Sequence, residues 1–138
     1  MKRLHIAYYI TAHGYGHGVR SSEIIGALLA AHPAVSITVT TDLPEIFLRS
    51  RLPDGDGRLV VRPGAFDVGM VQKDSIRVDV AATLAATLEL LEERPRLVDY
   101  EAEVLRGEGA DLVVAAIPSI PLEAAAAAGI PAVACRWG

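Results

Sequence analysis

The sequence predicts an α/β fold: a Rossmann-like parallel sheet with helices on both faces. Three observations carry this. Short apolar or β-branched runs recur along the chain, each separated from the next by a stretch of helical period. The runs are continuous rather than alternating, as in strands covered on both faces. A glycine-histidine loop joins the first run to the first helical stretch, where α/β proteins commonly bind ligands.

The first strand is the apolar run 4–10, and the first helix follows over 19–31, ending near His32-Pro33. Residues 35–41 are β-branched and form the second strand. A short helix follows over about 44–50, with Asp42 as candidate N-cap. A turn at 53–57 leads to a third strand over 58–62, then a loop over 63–76. A long helical pattern runs from about Arg77 to Arg106. Its apolar positions Val80, Leu84, Leu88 and Leu91 fall at helical spacing. Pro95 should kink or divide it, and Gly107 and Gly109 should stop it. Residues 111–117 form a fourth strand, Pro121 to Ala128 a helix closed by Gly129, and Ile130 to Cys135 a fifth strand. Right-handed crossovers then give the strand order 3-2-1-4-5, which sets the loops after the first and fourth strands side by side.

At 138 residues the chain is one domain with room for a core. Thirteen basic and 17 acidic residues leave a net charge of −4, which argues against a general nucleic-acid or anionic-membrane surface. A single cysteine, Cys135, excludes an internal disulfide and suits a reducing cytoplasm; its apolar surroundings predict a buried, inert thiol. No signal peptide is recognisable, and no apolar stretch reaches membrane-spanning length. Apolar residues make up 51% of the chain and mean hydropathy is +0.34, high beside 22% charge. The fifth strand has no covering helix after it, and Trp137 follows it. These features predict self-association or a missing C-terminal domain.

The loop His13-Gly14-Tyr15-Gly16-His17-Gly18 carries the chemistry. Glycines let a backbone come close to a ligand, and the following helix aims free N–H groups at the same place. A dinucleotide fingerprint is a weak reading: the glycines fall at 14, 16 and 18, although Asp42 stands where a ribose-binding acid belongs. A phosphate loop with lysine is absent. His13 and His17 have no acidic or cysteine partner nearby, so no metal is expected. A plain tight turn with solvated histidines is the remaining alternative.

Ile10 to Arg20 resembles the glycine-histidine loop that opens the N-terminal domain of GT-B glycosyltransferases. It is most similar to the glycosyltransferase-like domain of arabinokinases and its bacterial relatives. The stretches Phe66 to Asp74, Gly109 to Val114 with Pro118, and Ala127 to Pro131 extend the resemblance over nearly the whole chain. The sequence departs from those relatives at Ala12-His13 and at Ile117-Pro118-Ser119, where they often carry Gly-His and an Asp-containing turn.

The resemblance implies the N-terminal half of a GT-B architecture. Its co-substrate would be a nucleotide sugar held largely by a second domain, its acceptor a small molecule with a hydroxyl group, and no cofactor would be needed. It also implies His17 as the base that takes the acceptor proton, a role that imidazole suits near neutral pH. His13, Gly14, Tyr15, Gly16, Gly18, Arg20, Pro118 and Ser119 would line the ligand site, with Arg20 as a bidentate donor. A non-catalytic binding module and a nucleotide-binding oxidoreductase domain are the alternatives. Asp67, Gln72 and Asp74 lie in a loop long enough to touch ligand. Glu89, Glu92, Glu93, Arg94 and Arg96 read as a solvated helix face, and Glu123 as a dipole-favouring acid in a first turn.

Overall fold

The structure, a computed structural model, describes residues 3–11, 15–52, 57–64, 66, 79–116 and 119–135. Five strands, β1 (Leu4–Ile10), β2 (Val35–Thr41), β3 (Leu59–Pro63), β4 (Leu112–Ala116) and β5 (Ala132–Cys135), form one sheet in the order β3-β2-β1-β4-β5. All four strand pairs are parallel. The helices are α1 (Gly16–Ala31), α2 (Glu45–Arg51), α3 (Val80–Glu108) and α4 (Ile120–Ala128). The order is the expected one.

Strand β1 is central and apolar throughout because both its faces are covered. Ile6, Tyr8 and Ile10 pack with Ile25 and Leu29 of α1 and Leu48 of α2. Ala7 and Tyr9, pointing the other way, pack with Ala102 and Leu105 of α3 and with Ala124 and Ala125 of α4. Strand β2 splits by the same alternation. Ile37 and Val39 join the α1 layer, whereas Thr38 and Thr40 are buried toward α3.

Several boundaries differ from expectation, each for a local reason. Helix α1 begins three residues earlier, at Gly16, with Tyr15 in the N-cap position. Asp42 does not cap α2; Pro44 holds that position and its carbonyl accepts from Phe47 N–H. Helix α3 is a single 29-residue helix that passes through Pro95 undivided. The Asp79 carboxylate caps it by accepting from Ala82 N–H at 2.9 Å. Gly107 stays helical, and the helix ends at Gly109, whose φ of 68° is the left-handed conformation that glycine adopts without steric cost.

Strand β5 is an open edge. Ala132, Val133 and Ala134 are exposed, and Cys135 is only partly buried, so its thiol is less enclosed than its apolar neighbours imply. Trp137 lies outside the described residues. The apolar positions Val80, Leu84, Leu88 and Leu91 of α3 are all more than half exposed. Among the described residues no helix is long and apolar enough to cross a membrane.

Candidate functional site

Strands β1 and β4 lie side by side with Ile10 opposite Ala116, so the loops that follow them leave the same edge of the sheet. Beyond β1, Thr11 is buried and α1 starts at Gly16. The first hydrogen bond of this turn runs from Val19 N–H to Tyr15 O at 2.9 Å. The N–H groups of the residues before Val19 therefore form the unbonded N-terminal end of α1, where the helix dipole is positive.

His17 is the second residue of that turn and is partly buried. Its Nδ1 atom is shielded from solvent and has no hydrogen-bond partner among the described residues. Such a nitrogen is costly unless something else satisfies it. Tyr15 stays half exposed and lays its ring on Phe47, with ring centroids 4.7 Å apart. Arg20, three residues after His17 on α1, joins Val19, Glu23 and Ile24 around an open hollow of about 490 Å³.

The two described glycines of the loop differ. A Cβ built at Gly18 would lie 2.6 Å from Leu43 Cδ1 and 3.0 Å from the Phe47 ring. Gly18 is therefore set by the close packing of α1 on the start of α2. A Cβ at Gly16 meets nothing within 4 Å. His13, Gly14 and Pro118 lie outside the described residues, as do Asp67, Gln72 and Asp74.

Ser119 occupies the N-cap position of α4 and gives the helix no side-chain cap. Its Oγ accepts from Arg94 Nη2 at 3.0 Å, while Arg94 Nε donates to Glu123 at 2.7 Å. Arg94 and Glu123 were read from the sequence as a solvated cation and a dipole-favouring acid. Glu123 does stand exposed in the first turn of α4, and with Arg94 it also clasps α3 to that turn, at the same edge of the sheet as His17. Asp42 is exposed beside a small hollow of about 120 Å³ at the ends of β2 and β3. Among the described residues no group of three His, Cys, Asp or Glu side chains is arranged to hold a metal.

Sequence reasoning missed a buried polar network on the α3 side of the sheet. Glu101 of α3 is fully buried. Its carboxylate accepts from Tyr9 Oη at 2.6 Å and from both terminal nitrogens of Arg62, with Nη2 at 3.0 Å. Burial and the neighbouring carboxylate push the Tyr9 hydroxyl far above its ordinary range, and the bond to Glu101 raises Arg62. At the other end of the strands, His5 Nδ1 pairs with Ser36 Oγ at 2.7 Å and Nε2 with Thr38 Oγ1 at 3.0 Å. Burial lowers the His5 pKa against the opposing pull of Asp111. Glu108 lies 3.9 Å from His5 Nε2, and burial raises its pKa despite Arg62.

No family model matches the chain. It is 35% identical over 133 residues to the L-arabinokinase of Arabidopsis thaliana, covering 96% of this chain and 12% of that protein. Its fold is similar to a UGT transferase from Siraitia grosvenorii solved in complex with UDP. That match has a TM-score of 0.61 at 14% identity, over 96% of this chain and 27% of the other. The chain has the α/β Rossmann-like fold of that UGT transferase structure and is similar to one part of an arabinokinase. The same α/β arrangement also matches the C-terminal domain of a hydrogenase from Pyrococcus furiosus, with a TM-score of 0.57 at 17% identity over 97% of this chain and 92% of that one. Fold alone therefore does not choose the chemistry. The domain spans about an eighth of the arabinokinase and about a quarter of the Siraitia transferase.

Proposed function

We propose that this GT-B-like domain is the acceptor-side half of a protein that transfers a sugar from a nucleotide sugar to a hydroxyl acceptor. On this reading His17 is the general base. The N-terminal end of α1, with His13, Gly14, Tyr15, Gly16, Gly18 and Arg20, holds the acceptor together with Pro118 and Ser119. A second domain binds the nucleotide sugar, no cofactor takes part, and the reaction is cytoplasmic. The observation that carries the reading is the solvent-shielded, unpartnered Nδ1 of His17 in the first turn of α1. A base needs a ring nitrogen not already committed within the protein. Further support comes from the UDP bound by the Siraitia transferase and from the 35% identity to an arabinokinase.

The test is UDP release from UDP-sugars by the longest reading frame containing this domain, in wild type and His17→Ala. Transfer that His17→Ala abolishes supports the reading. Transfer that survives it removes His17 from the chemistry.

A second reading is a non-catalytic binding module of the same fold. Calorimetric binding of a sugar without turnover by any complete form would select it.

A further inference from the structure

Helices α3 and α4 pack together beside the candidate site, and one arginine joins them. Glu101 of α3 meets Tyr9 near the carboxyl end of β1, and Glu108 approaches His5 near its start, so α3 runs antiparallel to the strands. Arg94 lies two turns before Glu101 on the same face of α3, about 10 Å further along the helix. That places it at the carboxyl edge of the sheet, where Ala116 of β4 stands beside Ile10 of β1. There Arg94 Nε donates to Glu123 Oε2 at 2.7 Å, and Nη2 donates to Ser119 Oγ at 3.0 Å.

Stability does not account for this arrangement. The Arg94 and Glu123 side chains are 33% and 49% exposed, and ion pairs in such a setting add little to a fold. Three local preferences are set aside around them. Ser119 holds the N-cap position of α4, yet its side chain caps nothing. A guanidinium stands beside the first turn of α4, the positive end of that helix. Pro95, the next residue of α3, removes a hydrogen bond from the middle of a helix. Conflicts of this kind between local rules and the fold gather at functional sites.

We propose that Arg94 is a positioning residue of the acceptor site, which it serves by fixing Ser119 as a hydrogen-bond donor to the ligand. The proposal rests on the reading of this domain as the acceptor-side half of a transferase. A guanidinium suits the task, because its planar fork reaches a carboxylate and a hydroxyl at once. Ser119 in turn carries the start of α4, since its carbonyl accepts from Leu122 and Glu123 N–H at 3.1 and 3.2 Å. Arg94 donates into Ser119 Oγ, so the hydroxyl proton is not used in that bond. Among the described residues that proton has no acceptor. Ser119 therefore meets the ligand as a donor, and its partner there is a lone pair, on a carbonyl or carboxylate oxygen of the acceptor. Glu123 neutralises Arg94, so the clasp brings no net charge to the site.

The experiment uses the longest reading frame containing the domain, with Arg94→Gln, Arg94→Lys, Ser119→Ala and the double variant Arg94→Gln/Ser119→Ala. One readout is hydrogen exchange at the Leu122 and Glu123 amides. The other is kcat and KM with UDP-glucose as donor and 4-hydroxybenzoate or 4-methylphenol as acceptor. Arg94→Gln should speed the exchange about tenfold and leave the melt within about 3 °C of wild type. It should raise KM for 4-hydroxybenzoate about tenfold and change kcat less than about twofold. Arg94→Lys, which keeps the charge without the fork, should recover part of that KM. The double variant should be no worse than Ser119→Ala, because both changes remove one interaction. KM for 4-methylphenol, which offers Ser119 no second oxygen, should move less. Should Arg94→Gln fail to fold, Glu123→Gln opens the other arm of the clasp and gives the same two readouts. Unchanged exchange overturns the proposal, as does faster exchange with an unchanged KM, or a double variant whose losses add. Equal effects on both acceptors overturn the donor role of Ser119. A wild type that transfers to neither acceptor overturns the transferase reading and the role of Arg94 in it, while the exchange result still decides whether Arg94 fixes Ser119.

Discussion

The hydroxyl of Tyr9 on β1 and the carboxylate of Glu101 on α3 lie 2.6 Å apart, in a place with no solvent exposure at Glu101. Arg62 on β3 completes the arrangement by gripping both oxygens of that carboxylate. Tyr9, Thr40 and Arg62 stand in one row across β1, β2 and β3, and Glu101 ties the two outer members of that row, Tyr9 on β1 and Arg62 on β3, to α3. Breaking such a buried pair by removing one partner is far more damaging than replacing both.

Arg62→Ala should therefore destabilise the domain by about 3–5 kcal/mol, because it strands a buried carboxylate. At this chain length that is a drop of roughly 10 °C or more in Tm. Arg62→Met combined with Glu101→Met should restore most of the loss, since the apolar pair leaves no uncompensated charge. Thermal melts followed by circular dichroism measure both. If the single and double variants melt alike, the ion pair is not what matters at this position.

Gly18 and Gly16 should respond oppositely to the same change. Gly18→Ala puts a Cβ into Leu43 and Phe47, and overpacking of this kind costs about 1–3 kcal/mol. Gly16→Ala meets nothing, and alanine's better helix propensity should leave stability unchanged or raise it by up to about 1 kcal/mol. Urea titration of the two variants separates a packing glycine from one whose space is open.

The two shifted groups at the foot of α3 act with opposite sign. The His5 pKa is lowered in the folded state, so its contribution to stability is present above the ordinary value of 6.5 and is lost as pH falls through the folded value. The Glu108 pKa is raised, so its contribution is present at acid pH and lost as pH rises above the ordinary 4.5. Between pH 7 and 5.5 the histidine should dominate and Tm should fall. His5→Gln, which keeps a side chain able to reach Ser36 or Thr38, should flatten that slope. A slope unchanged in His5→Gln would assign it to other groups.

The strand order could be read from the residues because β1 and β4 are continuous apolar runs, and only a doubly covered parallel sheet accepts such strands. Glu101 could not, because within Asp99-Tyr100-Glu101-Ala102-Glu103 it looks like one more acid on a wet helix face. It is paired there by Arg62, which is 39 residues away and on β3. The exposure of Leu84, Leu88 and Leu91 was hidden for a related reason. Helical spacing marks an apolar face but not where the sheet beneath it ends. At the candidate site, the change from apolar run to glycines to helical period marked where α1 begins to within three residues, placing its start at Val19 rather than Gly16 because glycines read as loop. The packing role of Gly18 was not, because its neighbour Phe47 arrives from a helix that a sequence pattern cannot orient.

His17 is the residue on which the proposed chemistry rests. Its ring stands in the first turn of α1, and its Nδ1 has no partner among the described residues, so removing the imidazole should cost the fold little. His17→Ala should leave the melt of the domain within about 1 kcal/mol of wild type or improve it, since an unsatisfied buried nitrogen is removed. In the longest reading frame containing the domain, the same change should lower kcat for sugar transfer by about 10²–10⁴-fold, the usual contribution of a general base. His17→Gln, which can still hydrogen-bond but cannot take a proton at neutral pH, should be as slow as His17→Ala. His13→Ala should raise KM for the acceptor more than it lowers kcat. Rates from His17→Gln close to wild type would show that the ring positions the acceptor without accepting its proton. Small and equal losses from His13→Ala and His17→Ala would reduce the loop to a turn between β1 and α1.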